Sequence, residues 1–270
     1  MSALIVAVVL GIIEGLTEFL PVSSTGHLIM TSRILSLNQE KYASFNIIIQ
    51  LGAILAVVFL YREKFFQLLN IGQIKDIKKT LASKKLNIFH IAAAILPALS
   101  IGFVTRHFIK AHLFNPHVVV GSLIIVGIIM IIIEKIKPVP TINTVDEISL
   151  MDAFVIGIAQ CFALIPGVSR SGATMLASMM RKIDVTTSAD FSFLIAVPVI
   201  TIATVYEFLK SYSEFNSAQA MELLIGFIVS FVVAIGAIKG FLMVLKRLSL
   251  TPFAIYRIIV GILFYLIWLR

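Results

Sequence analysis

Two carboxylates, a run of three hydroxyls and a histidine fall close together where Glu14 to His27 read EGLTEFLPVSSTGH. On a helix, Glu14 and Glu18 lie four apart and share a face, where two like charges repel. A divalent cation removes that repulsion, and carboxylate oxygens with partial hydration suit Mg²⁺ or Ca²⁺. The competing reading sets the same acids against basic side chains or protonates them in a cavity. Ser23, Ser24, Thr25 and Gly26 fit a turn whose free N–H groups at a helix start receive an anion. Hydroxyls in membrane helices also commonly bond back to carbonyls. His27 follows this cluster and is a candidate for catalysis. A second cluster, PGVSRSGAT, runs from Pro166 to Thr174. Arg170 keeps its proton at any usable pH, so it needs an anion, either Glu14 or Glu18 or a phosphate gripped bidentately. Ser169, Ser171 and Thr174 stand beside it as further donors. These residue types point to metal or phosphate chemistry.

The elements that must position them are apolar. The chain has 270 residues, 59% hydrophobic and 13% charged, with a mean hydropathy of +1.04. Soluble domains carry about a quarter charged residues. Apolar runs recur near the ~20 residues that cross a ~30 Å hydrocarbon core. An all-α polytopic membrane protein is expected, and ionisable side chains inside it are functional candidates by default. Full spans are expected at 43–61, 86–105 (broken by Pro97), 116–133, 191–209, 221–241 and 252–269. The stretches around Glu14–His27 and Pro166–Thr174 read instead as interrupted, re-entrant segments, each turning back to the face it entered by. The net charge of +8 does not argue for nucleic acid, because the basic residues sit in short loops between spans. The lone Cys161 excludes an internal disulfide and a cysteine metal cluster. No Lys or Arg precedes the first apolar run, so no cleavable signal peptide is expected.

The chain forms a single membrane domain that reads as a duplication, 1–137 and 149–270 joined by a polar linker, 138–148. An offset of 146 residues places Gly11 on Gly157, Glu14 on Gln160, Ser23 on Ser169, Thr25 on Ser171, Gly26 on Gly172 and Phe45 on Phe191. Segments 62–86, 135–150, 181–182 and 246–247 carry thirteen Lys/Arg, against six on the other side. The richer side is expected to be cytoplasmic, which puts both termini outside. Three full spans per half is an odd number, so the halves insert in opposite directions, as in folds whose sites lie at the repeat interface.

Elsewhere the readings are structural. His90, His107, His112 and His117 lie near the membrane interfaces with no metal-ligand spacing. Gly236 and Gly240 read as a small-xxx-small helix contact. Lys239 and Arg257 are expected to snorkel or pair, and the Lys-rich 62–86 loop to signal topology and see anionic lipid.

EGLTEFLPVSSTGH and PGVSRSGAT resemble the two signature regions of the bacterial undecaprenyl-diphosphate phosphatase family, also known for bacitracin resistance. The resemblance extends over essentially the whole chain. It places the family's acidic motif on Glu14 and Glu18, its serine–histidine part on Ser23, Ser24 and His27, and its arginine motif on Pro166, Gly167, Ser169, Arg170, Ser171 and Thr174. It implies divalent-cation-dependent hydrolysis of undecaprenyl diphosphate to the monophosphate and inorganic phosphate. The site would open to the outer face of the plasma membrane. Under it, Glu14 and Glu18 serve the metal or proton transfer, and Arg170 the diphosphate. Ser23, Thr25, Gly26, Ser169, Ser171 and Thr174 support the substrate. Ser24 is the candidate nucleophile, activated by His27 or a glutamate, with attack by His27 or by water as the alternatives. Expected partners are the polyprenyl diphosphate lipid and membrane lipids, with a homodimer left open. A lipid flippase or transporter fits the same repeats. The membrane acid-phosphatase superfamily does not, because after Arg170 the next acid is Asp184 and no histidine follows.

Overall fold

A computed structural model describes residues 2–37, 39–69, 85–211 and 220–270. Lys75, Lys78, Lys79 and Lys84 of the expected basic loop lie outside the described residues, as does the side chain of Lys41 and of Lys210. The helices are α1 (Ala3–Thr17), α2 (Ser24–Ile34), α3 (Gln39–Leu60), α4 (Arg62–Leu68), α5 (Ile88–His112), α6 (Pro116–Ile136), α7 (Leu150–Gln160), α8 (Arg170–Met180), α9 (Val185–Ser211), α10 (Ala220–Leu245) and α11 (Thr251–Phe264). A 3₁₀ turn, Cys161–Leu164, continues α7. Tyr265–Leu269 extends α11 as a π turn.

Five of these are long and apolar enough to cross a membrane: α5, α6, α9, α10 and α11 with its extension. The sixth is α3 taken together with α4, which leaves its axis by 84°. The protein is an all-α polytopic membrane protein, and its exposed side chains are those of a lipid-facing surface. Phe103, Ile125, Ile132, Val205, Ile228, Val232 and Ile259 all stand out from the bundle, where water would make such a belt costly.

Several expected boundaries move. Pro97 lies inside α5 without ending it, at the loss of one ladder hydrogen bond. Residues 106–112, expected as loop, are the last turns of α5. Arg106 there lies 4.2 Å from the centroid of Phe103, a cation–π contact one turn back that keeps the turn wound. Residues 62–68, read as loop, form α4 because the apolar run gives way to an amphipathic stretch at Tyr61.

The helix starts follow local chemistry. Asn87 caps α5 by accepting from Phe89 N at 3.0 Å. Asn115 caps α6 just ahead of Pro116, where the missing proline N–H costs nothing. Ser149 and Asp152 form a capping box on α7.

Packing brings α1 against α10, α5 against α7, α3 against both α10 and α9, and α6 against α11. A Cβ on Gly11 would sit 2.7 Å from Gly226 O, and one on Gly15 2.6 Å from Ser230 O. One on Gly157 would sit 2.7 Å from Ala94 O. These glycines let α1 and α7 lie backbone against backbone on their neighbours. The small-residue contact of α10 is therefore Gly226 and Ser230, not Gly236 and Gly240. The latter pair has nothing within 4 Å of either Cβ position, since they face away from the neighbouring helices.

The charged segments converge on one face. Lys64 Nζ reaches Asp146 at 2.7 Å and Arg181 Nε reaches Asp152 at 2.7 Å. Leu250 N donates to Glu134 Oε2 at 3.3 Å, and Lys137 also pairs with Glu134. Linker residue Ile142 bridges in parallel to Ile183. Asp152 lies in the first turn of α7 and Arg181 follows α8, so their ion pair brings the two ends of that helical hairpin together.

Candidate active site

Two turns inside the bundle hold the polar residues. Pro21 removes a donor and biases Leu20 off the helix, so the helical run beginning in α1 cannot continue into α2. Ser23 resumes it with φ of 72°, Ser169 does the same for α8 with φ of 78°, and each hydroxyl caps its helix. Gly26 N donates to Ser23 Oγ at 3.3 Å, and Gly172 N to Ser169 Oγ at 3.2 Å. Both first turns present amides of the kind that bind anions. Gly167 takes φ of 94°, a conformation that glycine supplies without strain. A Cβ there would meet Val119 O at 2.7 Å.

Glu18 stands at the junction of the two turns. Ser24 Oγ donates to Glu18 Oε2, and Arg170 Nη2 donates to Glu18 Oε1 at 3.1 Å. Arg170 Nη1 is held by Ser192 O at 2.9 Å and Ser192 Oγ at 3.2 Å, and its guanidinium lies 5.8 Å from the centroid of Phe19. Thr174 Oγ1 supports Ser192 Oγ at 2.8 Å. Ser171 Oγ donates to Leu20 O at 2.9 Å and sits 3.0 Å from Ser169 Oγ. The two motifs thus share one buried site through Glu18, Ser24, Arg170, Ser169, Ser171 and Thr174. Thr25, half-buried, stays in the first turn of α2.

His27 is placed differently from its expected role beside Ser24. Its Nδ1 lies 2.8 Å from Ser23 O and its Nε2 2.9 Å from Tyr256 OH. The rings are parallel within 3° at 5.6 Å between centroids. With both ring nitrogens engaged elsewhere, the partner of Ser24 is the glutamate.

Glu14 is fully buried beside the Glu18 carboxyl, and among the described residues no N–H or hydroxyl donor reaches either of its oxygens; Gln160 Oε1 and Arg170 Nε are also buried and unpartnered there. Burying such groups unpaired is costly. Carboxylate and amide oxygens left open in this way are the hard donors a divalent cation takes, and the open Arg170 Nε–H suits an oxyanion. Among the described residues no cluster of three or more His, Cys, Asp or Glu is present, and Gln160 Nε2 donates to Ala94 O at 3.1 Å.

Three residues went unseen as site residues. Ser192 and Tyr256 carry no signal at sequence level, since a serine or tyrosine in an apolar helix is ordinary. Arg257 does carry one, an arginine within an apolar run. It neither snorkels nor pairs with an acid. It is completely buried and donates to Pro21 O at 2.9 Å, Val168 O at 3.0 Å and Gly167 O at 2.7 Å. One side chain of α11 therefore ties both turns together.

Fold and site define an integral membrane protein whose buried acid, hydroxyl and arginine groups meet between two interrupted segments. The chain belongs to the family described as bacitracin resistance protein BacA, whose model matches residues 7–263. It is 45% identical to an undecaprenyl-diphosphatase of Maridesulfovibrio salexigens over 99% of this chain and 100% of that one. It is 42% identical to undecaprenyl-diphosphatase 1 of Bacillus thuringiensis over 98% of each. With an undecaprenyl-diphosphatase of a Sulfurihydrogenibium species it shares 44% identity over 96% of this chain and 97% of that one.

Proposed function

We propose that this protein is an enzyme that hydrolyses undecaprenyl diphosphate to undecaprenyl phosphate and inorganic phosphate. Family membership and the activity named for its relatives support the reaction. The observation that carries the site is Glu18 shared between Ser24 and Arg170.

In this reading Arg170 grips the diphosphate through the donors it now gives to Glu18 and through its open Nε. Ser169, Ser171, Ser23, Thr25 and the Gly26 amide line the same turns and orient the phosphate oxygens. Ser24 Oγ attacks the terminal phosphorus while its proton passes to Glu18. The bond from that phosphorus to the bridging oxygen breaks, and undecaprenyl phosphate leaves. Water then releases inorganic phosphate from the serine. Glu14 and Glu18 would hold Mg²⁺ or Ca²⁺. Such an ion supplies positive charge that offsets the charge developing on the phosphate oxygens. His27, braced by Tyr256, lies beside this path, and attack by His27 or by water remains the competing route.

We further place the protein in the bacterial plasma membrane, with the site and both termini on the outer side. The excess of Lys and Arg on the face that gathers Lys64, Lys137 and Arg181 supports this orientation. Segments 1–137 and 149–270 are read as inverted repeats. The paired caps at Ser23 and Ser169 and the paired close approaches at Gly11 and Gly157 support that reading.

The test is phosphate release from undecaprenyl diphosphate by detergent-purified protein with Mg²⁺ or Ca²⁺, before and after chelation. Release that stops on chelation and returns with the cation is expected. Lipid movement in sealed vesicles without phosphate release would make the protein a transporter instead.

A further inference from the structure

Away from the acid–arginine site, a cavity of about 670 Å³ opens on the charged face where α3 bends into α4. Arg62 and Lys64 of α4, Asp146 of the linker and Lys239 of α10 line it, with Phe59 and Tyr61 beneath. Lys64 and Asp146 satisfy each other at 2.7 Å, and Asp146 also accepts from Leu86 N at 3.1 Å. Glu63 is the remaining acid on the wall. Arg62 and Lys239 are exposed, and among the described residues neither has an ion-pair partner.

The surroundings are those of a membrane interface. Phe66 and Leu69 stand 74% and 65% exposed beside these charges, the pattern of a short helix lying in the headgroup region. Tyr61 OH donates to Asp190 at 2.5 Å, which fixes the elbow to α9. Leu55 and Phe59, four apart on one exposed face of α3, run from the cavity toward the interior of the bilayer. Phe59 meets Phe231 of α10 edge-on at 6.3 Å, so this strip is continuous with α10. Arg62 lies 5.8 Å over the Phe59 ring, so two cations without a carboxylate partner among the described residues sit above an apolar strip, an arrangement that matches a phosphodiester above an acyl chain.

We propose that the α3–α4 elbow, with Arg62 and Lys239, binds the phosphodiester headgroup of an anionic glycerophospholipid, one acyl chain lying on Leu55 and Phe59. None of these residues belongs to the acid–arginine site, so the inference stands whether or not the catalytic reading does.

The experiment is lipid retention by the detergent-purified full-length protein, measured by native mass spectrometry with dioleoyl phosphatidylglycerol and dioleoyl phosphatidylcholine. Phosphatidylglycerol should be retained preferentially. The Arg62→Gln/Lys239→Gln protein should lose about thirtyfold in affinity for it, the effect of two cations at a membrane surface. The Arg106→Gln/Lys110→Gln protein, losing the same charge at the far end of α5, should keep it. Equal retention of both lipids, or an unaltered affinity in the first double variant, overturns the proposal. Displacement by millimolar inorganic phosphate also overturns it, by assigning the site to the free anion. Wild-type rates of phosphate release in both double variants would establish that each is folded; were the first inactive, Arg62→Lys/Lys239→Arg should restore retention.

Discussion

Arg170 Nη2 and Glu18 Oε1, 152 positions apart in sequence, meet at 3.1 Å. Each comes from a different interrupted segment; Glu18 is buried and Arg170 largely so. Glu18 and Arg170 thereby satisfy each other in the resting site. In the proposed reaction an arriving diphosphate competes with a carboxylate already seated on the arginine, and that carboxylate is the one accepting from the Ser24 hydroxyl.

Arg170→Ala should lower phosphate release about 10²- to 10³-fold, the scale on which losing a donor to developing negative charge is felt. Arg170→Lys should recover little, because an ammonium cannot serve Ser192 and a phosphate in one plane. Steady-state phosphate release from monodisperse protein measures both.

Ser24→Ala should nearly abolish turnover, and acid-quenched wild-type enzyme should carry phosphate on Ser24. Near-normal turnover in the variant would transfer the attack to water or His27.

Tyr256→Phe keeps the ring stacked on His27 and removes only the hydroxyl at 2.9 Å. About a five- to tenfold loss in kcat with unchanged KM is expected, the worth of one hydrogen bond. An unchanged kcat would reduce His27 to a structural group.

Arg257→Met leaves the carbonyls of Pro21, Gly167 and Val168 without their donor. Each buried group left unsatisfied costs about 1–3 kcal/mol, so the melting temperature should fall steeply, and Arg257→Lys should not restore it. Thermal unfolding in detergent checks this.

Gly15→Ala places a methyl 2.6 Å from Ser230 O and should destabilise by about 1–3 kcal/mol, while Gly236→Ala should be tolerated or slightly stabilising. Paired melting curves separate the two.

What was legible follows from a physical asymmetry. Charges in lipid are expensive, so Glu14, Glu18 and Arg170 announce themselves from sequence, and an apolar run long enough to span must be a helix. Partner choice is harder. Arg170 pointed to either glutamate, and only the packing of the two turns in space pairs it with Glu18. Arg257 obeyed the same rule as Arg170, yet carbonyls as its acceptors leave no trace in residue type. Glycine spacing does not record which face of a helix it marks, so Gly236 and Gly240 looked like a contact while Gly226 and Ser230 made it. The Tyr256–His27 contact joins residues 229 apart, beyond the reach of any local pattern.

The arginine that clasps both turns also sets an order of events. A chain made from its N-terminus lays down residues 14–27 and then 166–174 well before residue 257 emerges. Until α11 docks against α6, the two turns have no common donor. The half-sites are written early and meet through Glu18 and Arg170, and the clamp on their backbones is added last.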